Sequence, residues 1–194
     1  MKKLFFTLIA IVGLTSISLA QNVTFGVKAG ANFSNITNLE MDTKIGFVAG
    51  GVASFQLSDA VAIQPEVLFS AQGAKTKEGD ITAKTAFNYI NIPVMAKFYL
   101  AEGFNLQVGP QLGILASAKA KVEGDGADVD VDLKDSVNSI DFGLNLGAAY
   151  ELESGLYFEG RYNLGLTDTA KDNESDDTYK NSVFSIGVGY FFGK

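Results

Sequence analysis

The sequence contains no cysteine and no histidine in its 194 residues. Without cysteine the chain can form no disulfide and has no thiol nucleophile, so the fold must be held by hydrogen bonding and burial. Without histidine it lacks the commonest general base, the Ser-His and Cys-His nucleophile pairs and the usual zinc ligands. We therefore expect a protein that is not an enzyme, with no cofactor and no catalytic, cofactor-binding or metal-binding residues.

Positive charge is also scarce. The chain has 15 Lys and Arg residues against 22 Asp and Glu residues, and its net charge is −7. Because no basic patch is available to attract phosphates, we do not expect nucleic acid as a partner.

The N-terminal segment has the pattern of a secretory signal peptide. Lys2 and Lys3 precede an apolar run that extends from Leu4 to Leu14, and Ser18-Leu19-Ala20 forms a small-x-small cleavage site. A membrane anchor, the alternative, needs about 20 apolar residues, which this run does not reach. We predict that residues 1–20 are a cleaved signal peptide and that residues 21–194 form one domain.

After residue 22, apolar residues alternate with polar residues or glycine in eight segments. The segments are 23–34, 45–57, 61–72, 89–100, 104–117, 140–150, 156–166 and 184–192. No Asp, Glu, Lys or Arg lies on any of the apolar faces. Lipid imposes such an exclusion, because a Lys or Arg on the outer face at mid-bilayer costs about 2 to 4 kcal/mol. The pattern predicts an all-β fold, an eight-stranded antiparallel up-and-down transmembrane β-barrel.

A soluble barrel of lipocalin type is the rival interpretation, with the same apolar residues pointing inward. Glycine argues against it, because glycine weakens a strand and is a poor choice for a surface that faces water. Inside a narrow barrel, small residues leave room for long polar ones. The glycines of the polar faces are Gly26, Gly30, Gly46, Gly50, Gly109, Gly113, Gly143, Gly147, Gly165, Gly187 and Gly189.

The connections between the segments alternate in length. Short turns are predicted at Ser58-Asp59, 101–103 and 153–155, and long loops over about 35–43, 73–86, 119–139 and 167–181. Outer-membrane barrels keep short turns in the periplasm and long loops outside, so both termini should face the periplasm. Apolar-face aromatics fall into two belts, as expected at the two membrane interfaces. Pro65, Pro93 and Pro110 lie inside predicted strands, where each should mark a bulge or locally broken pairing.

The polar face carries the charges that could support chemistry. Lys28, Lys97 and Arg161 balance Glu66, Asp141 and Glu159, and Lys28, Glu66 and Arg161 should lie at similar height. Charges in a dry lumen must be paired, which predicts a structural ion network that fills the barrel. Alternatively, Glu66 and Glu159 could form an acid-base pair of the kind that hydrolyses glycosides. That alternative needs a substrate cleft, whereas an eight-stranded barrel is just wide enough for its side chains.

Acidic residues are concentrated in the last two long loops. Asp128, Asp130 and Asp132 fall on one side of an extended segment, a spacing that divalent cations could use, although the full calcium-loop pattern is absent. The alternative is that these are solvated loop tips. The acidic residues of the two loops are Glu123, Asp125, Asp128, Asp130, Asp132 and Asp135, followed by Asp168, Asp172, Glu174, Asp176 and Asp177.

Four stretches resemble the PorT-type outer membrane β-barrel family, many of whose members are labelled porin family proteins. They are Asn88-Tyr89-Ile90-Asn91-Ile92-Pro93-Val94-Met95-Ala96-Lys97-Phe98-Tyr99, Val108-Gly109-Pro110-Gln111-Leu112-Gly113, Gly160-Arg161-Tyr162-Asn163-Leu164-Gly165 and Gly187-Val188-Gly189-Tyr190-Phe191-Phe192. The resemblance covers nearly the whole chain after the signal peptide and implies an eight-stranded outer-membrane barrel. It implies no reaction, and shared architecture alone does not assign function.

Together these observations predict a barrel of the cell outer membrane with a structural or surface-interaction role in the envelope. A small diffusion channel and a component of a protein secretion system are the alternatives. We expect a monomer whose partners are outer-membrane lipid and lipopolysaccharide, with divalent cations at the acidic loops.

Overall fold

The computed structural model describes residues 23–37, 42–78, 81–123, 129–171 and 178–193. Within these ranges lie nine strands: β1 (Val23–Ile36), β2 (Asp42–Ser58), β3 (Val61–Glu78), β4 (Ile81–Tyr99), β5 (Phe104–Glu123), β6 (Val129–Asp132), β7 (Ile140–Glu151), β8 (Leu156–Gly165) and β9 (Asn181–Phe191). The described residues contain no helix that is long and apolar enough to cross a bilayer. The predicted signal peptide lies outside the described residues.

Eight of these strands form a closed antiparallel barrel. Each pairs with its neighbours in chain order, and β1 pairs with β9 to complete the ring. The additional strand β6 pairs with β5 beyond the ring. Each strand of the barrel corresponds to one of the eight alternating segments, so the predicted fold class is confirmed.

The two faces of each strand have the predicted orientation. Along β7, the side chains of Phe142 and Leu146 are 54% and 52% exposed on the outer wall, whereas Asn145 between them is 1% exposed. Lipid-facing aromatics also meet across the strands, where Phe104 and Phe158 both lie directly opposite Tyr150. Because the apolar side chains point away from the lumen, the soluble-barrel alternative is wrong.

The predicted long loop over residues 73–86 is wrong, because β3 and β4 continue as a hairpin to the Glu78–Ile81 pair. Near its base, Gly73 has a φ of +134°, and a Cβ there would lie 2.0 Å from the carbonyl oxygen of Thr85. Above the bilayer both faces of a ribbon can meet water, so strict alternation is no longer required and the strand signal fades. The predicted 119–139 loop is likewise shortened, since β5 continues to Glu123 and pairs with β6.

The three prolines interrupt strand pairing as predicted, and they do so without shifting the register. Pairing between β2 and β3 stops on either side of Pro65, and between β4 and β5 it stops after Pro93 and resumes beyond Pro110. Between β3 and β4 the break lies opposite Pro93. Proline has no N–H to donate to the ladder, so the three breaks run diagonally across adjacent seams of the wall.

Candidate functional site

Four charged side chains meet near the middle of the lumen. Lys28 on β1, Glu66 on β3 and Glu159 and Arg161 on β8 are all at least nine-tenths buried. Lys28 Nζ contacts a carboxylate oxygen of Glu66 at 2.9 Å and also binds Glu159. Arg161 binds Glu66 through two parallel N–H···O bonds of 2.9 Å and donates to Glu159 at 3.0 Å. Each cation therefore bridges both carboxylates, and we call this neutral group of four the ion ring.

The ion ring uses every carboxylate oxygen that it contains. The two oxygens of Glu66 accept from Arg161, and one of them also contacts Lys28. Of the Glu159 oxygens, one binds Lys28 and the other Arg161. A glycoside-hydrolysing pair needs oxygens that face the scissile bond and a water. The ring offers neither carboxylate to a substrate, which argues against the acid-base hypothesis.

A second ion pair lies closer to the short turns. Lys97 on β4 forms a buried ion pair with Glu151 at the end of β7, and Tyr99 donates a hydrogen bond of 3.0 Å to the same carboxylate. The Lys97 ammonium also lies 5.1 Å from the ring centre of Phe191 and 6.0 Å from that of Tyr157, which adds cation–π attraction. Sequence reasoning missed Glu151 because the predicted strand stopped at Tyr150. Continuing the alternation of β7 by one residue would have found it, because Glu151 shares the face of the inward-pointing Asn145.

Gln64 connects this pair to the ion ring on one side of the lumen. Its amide oxygen accepts a hydrogen bond of 2.9 Å from Lys97, and its amide nitrogen donates to Glu66 at 2.7 Å. Gln64 is completely buried. The amide of Gln64 thus forms one hydrogen bond with the Lys97 cation and one with the Glu66 anion.

Gln107 and Asn105 make the connection on the other side. Gln107 accepts from Arg161 at 2.8 Å and donates to Asn105 at 3.0 Å. Asn105 in turn donates to Glu151 at 3.2 Å. The result is a closed circuit of hydrogen bonds through Arg161, Glu66, Gln64, Lys97, Glu151, Asn105 and Gln107.

Asp141 is not a member of this network, and its predicted role in balancing a lumen cation is wrong. One of its oxygens accepts a hydrogen bond of 2.9 Å from Asn181, and the other has no hydrogen-bond partner among the described residues. Asp141 lies directly opposite Gly113, nearer the long loops than the ion ring is. The alternation correctly predicts that the Asp141 side chain points into the barrel. It does not predict how far along the barrel axis that side chain lies.

Apolar side chains close the lumen at its two ends. At the short-turn end, Tyr157 and Phe191 stack with ring centres 4.8 Å apart and pack with Val52. At the long-loop end a larger buried cluster forms, which we call the cap; it consists of Ile36, Ala74, Phe87, Tyr89, Leu115, Ala118 and Val137, with Leu133 and Tyr179 packed against it. Between the ion ring and the cap lies a cavity of about 30 Å³, lined mostly by amide and hydroxyl side chains.

The connections that supply the cap are tied to each other. The backbone N–H of Asn138 donates to Thr169 at 2.9 Å, and that of Lys171 donates to Ser136 at 3.0 Å. The Asn138 side chain adds a bond of 2.8 Å to the carbonyl of Asp168. The β5–β7 and β8–β9 connections therefore form one folded surface at this end.

Six of the eleven acidic loop residues lie outside the described residues, among them Asp128 of the predicted cation-binding segment, and two of the others, Asp132 and Asp168, accept hydrogen bonds within the loops. One oxygen of Asp168 accepts from the backbone N–H of Ala170 at 3.0 Å and from that of Tyr179 at 3.3 Å. Asp132 accepts from the N–H of Lys134 at 2.9 Å. In the described part of the chain, no group of three or more Asp, Glu, His or Cys side chains is placed to hold a metal ion.

A family model for the outer membrane protein beta-barrel domain matches residues 19–171. Among solved structures, Neisserial surface protein A (NspA) is 15% identical with a TM-score of 0.55, over 86% of this chain and 96% of that one. Ail, the attachment invasion locus protein of Yersinia pestis, is 15% identical with a TM-score of 0.49, over 88% and 99%. No curated protein matches the sequence significantly. The family match supports the outer-membrane location that the sequence predicts, while the finer PorT-type resemblance stays a prediction.

Proposed function

Because the chain belongs to the outer membrane protein beta-barrel domain family, we propose that it is a monomeric barrel of the cell outer membrane. Its interior is structural, and its long-loop end makes contacts at the cell surface that support the envelope. Outer-membrane lipid and lipopolysaccharide surround the wall, and divalent cations bind at the acidic loops. The chain has no enzymatic activity.

The observation that carries this proposal is the filled lumen. The ion ring and the Lys97–Glu151 pair occupy the middle, and apolar clusters lie above and below them. An eight-stranded barrel has an interior just wide enough for side chains, so these groups leave no continuous water path. A filled lumen favours a structural interior over a diffusion channel, and it shifts the search for function to the exposed ends.

The long-loop end supports a surface role because it is folded rather than merely connecting strands. Strands β3, β4, β5 and β6 project beyond the ring as a continuous sheet. The tied β5–β7 and β8–β9 connections cover the mouth beside it. By contrast, the described residues at the opposite end join the strands through tight turns around Asp59, Glu102 and Glu153. An ordered projection is a suitable surface for a partner, since little entropy is lost when it binds.

Recordings in planar lipid bilayers test the channel alternative. We expect no reproducible conductance steps from the purified protein, because the buried ion pairs would have to open for ions to pass. A general porin reconstituted in the same lipid is the positive control. Regular steps of one size, abolished when the protein is heat-denatured, would contradict the structural interior.

Complementation of a strain that lacks the gene tests the surface role. A variant in which residues 120–131 are replaced by an Asn-Gly turn closed by the Lys119–Asp132 pair keeps all eight barrel strands but loses the projection between β5 and β6. We expect it to reach the outer membrane, to migrate as a folded barrel in unboiled gel samples, and to fail to restore resistance to detergent and bile salts.

The matched control changes the other end of the molecule. A variant with Asp59→Asn, Glu102→Gln and Glu153→Gln alters the three short turns and leaves the projection intact. It should restore resistance fully. If the shortened variant restores resistance and the short-turn variant does not, the functional surface lies at the short-turn end.

A further inference from the structure

Two buried polar atoms without a partner belong to residues that line the same cavity. Arg161 Nε and Gln72 Oε1 have no hydrogen-bond partner among the described residues, and the two side chains are 5% and 3% exposed. Both residues line the cavity of about 30 Å³ between the ion ring and the cap. A buried donor or acceptor left without a hydrogen bond destabilises the fold, so both groups should have a partner in this space.

The cavity offers donors and an acceptor together. Arg161 Nε carries one N–H, since the other four guanidinium N–H groups belong to the nitrogens that bind Glu66, Gln107 and Glu159. Lys28, which also lines the cavity, has three N–H groups and uses two for the ion ring. Gln72 Oε1 supplies the acceptor. Whatever fills the cavity must therefore accept hydrogen bonds from the cationic groups and donate one to the amide oxygen.

We infer that this cavity is a binding site for ordered water, whose molecules accept from Arg161 Nε and Lys28 on the side of the ion ring and donate to Gln72 on the side of the cap. A cavity needs a volume of about 10 to 15 Å³ to hold one water, and a buried water typically makes about three hydrogen bonds. A halide would accept from the cations equally well, but it could not donate to Gln72, and Glu66 and Glu159 already neutralise the ring. Water thus completes the hydrogen bonding of Arg161. The inference is independent of what the loops bind.

The first test is direct observation in the folded protein. In detergent micelles, the Hε resonance of Arg161 should show cross-relaxation with water through a bound molecule that exchanges slowly. Its chemical shift should not change when chloride is replaced by a bulky organic anion. A missing water signal would overturn the inference, and a shift that follows the chloride concentration would replace water with a halide.

The second test uses the direction of a stability change. Val183 is 4% exposed and lines the cavity, so Val183→Ile adds a methyl group to it. If the site holds water, the methyl displaces it, leaves Arg161 Nε without a partner, lowers the urea midpoint of unfolding and removes the water signal. If the cavity is dry, the same methyl fills a void and raises the midpoint.

Val188→Ile is the matched control, because it adds the same methyl on the same strand at a lipid-facing position that is 42% exposed. It should leave both the midpoint and the water signal unchanged. Val48→Ile adds a methyl to the cavity from β2 and repeats the test if Val183→Ile fails to fold. A raised midpoint in either cavity variant would overturn the inference.

Discussion

Replacing Arg161 with methionine lowers the free energy of unfolding by about 3 to 5 kcal/mol, the range found when one partner of a buried ion pair is removed. Without the guanidinium, Glu66 and Glu159 share the single cation of Lys28, and the lumen carries an uncompensated negative charge. The amide oxygen of Gln107 also loses the hydrogen bond that Arg161 donates to it. The measurement is the folded fraction across a urea series, read from the migration of unboiled gel samples.

A second substitution separates charge from packing in this prediction. Adding Glu66→Gln to Arg161→Met restores a neutral ring of Lys28 and Glu159. The double variant should be less destabilised than the sum of the two single variants, because the two residues are directly coupled. Lys171→Met removes an exposed cation at the long-loop end and should change stability by no more than about 0.5 kcal/mol. Strictly additive losses would show that Arg161 and Glu66 do not act as a pair.

Gly189→Ala should destabilise the barrel by about 1 to 3 kcal/mol, the usual cost of overpacking. Tyr157 lies directly opposite Gly189, and its ring covers the glycine. A Cβ at that position would lie 2.1 Å from Cζ of the tyrosine and 2.3 Å from its hydroxyl oxygen. The tyrosine cannot retreat freely, because its other side stacks on Phe191. The same urea series measures the loss.

The chain supplies a matched control for this substitution. Gly160 lies on β8, and a Cβ there would meet no atom within 4 Å. Gly160→Ala should therefore leave the free energy of unfolding unchanged or raise it by about 0.4 to 1 kcal/mol, because alanine lowers the conformational entropy of the unfolded chain. Combining Gly189→Ala with Tyr157→Leu should recover part of the loss. Equal effects of the two alanine substitutions would show that the Tyr157 contact is unimportant.

The barrel could be predicted from the sequence because lipid acts on every outward position independently. A single charge on the outer face of β1 or β9 would break the pattern, and none occurs on the outer face of either strand. The same parity placed Lys28, Glu66 and Arg161 on the inner face, and the structure brings them together. Strand pairing in chain order then leaves one simple way to close the ring.

Parity could not predict which inward side chains meet. Lys28 and Glu159 are 131 residues apart, and their contact depends on the stagger of the strands around the whole barrel. Asp141 was assigned to the lumen correctly but not to its partner Asn181, which lies two strands away on β9 near the long loops. The cap was missed for another reason. Val137 and Leu133 belong to a connection without a regular period, so no repeating pattern marks them as buried.

The closed circuit also constrains how the molecule assembles. Its members come from β3, β4, β5, β7 and β8, and Arg161 reaches Glu66 across 95 residues of sequence. A partly built wall in the bilayer would expose these ionised groups to hydrocarbon, where each costs several kcal/mol. Among the ion pairs of the lumen, the Arg161–Glu159 contact lies within one strand, while the others join strands that are not hairpin neighbours, so an early hairpin leaves most of these charges unpaired. The complete ion network therefore requires the closed barrel, because Lys28 of β1 and Glu66 of β3 reach their partners on β8 only when the ring has closed.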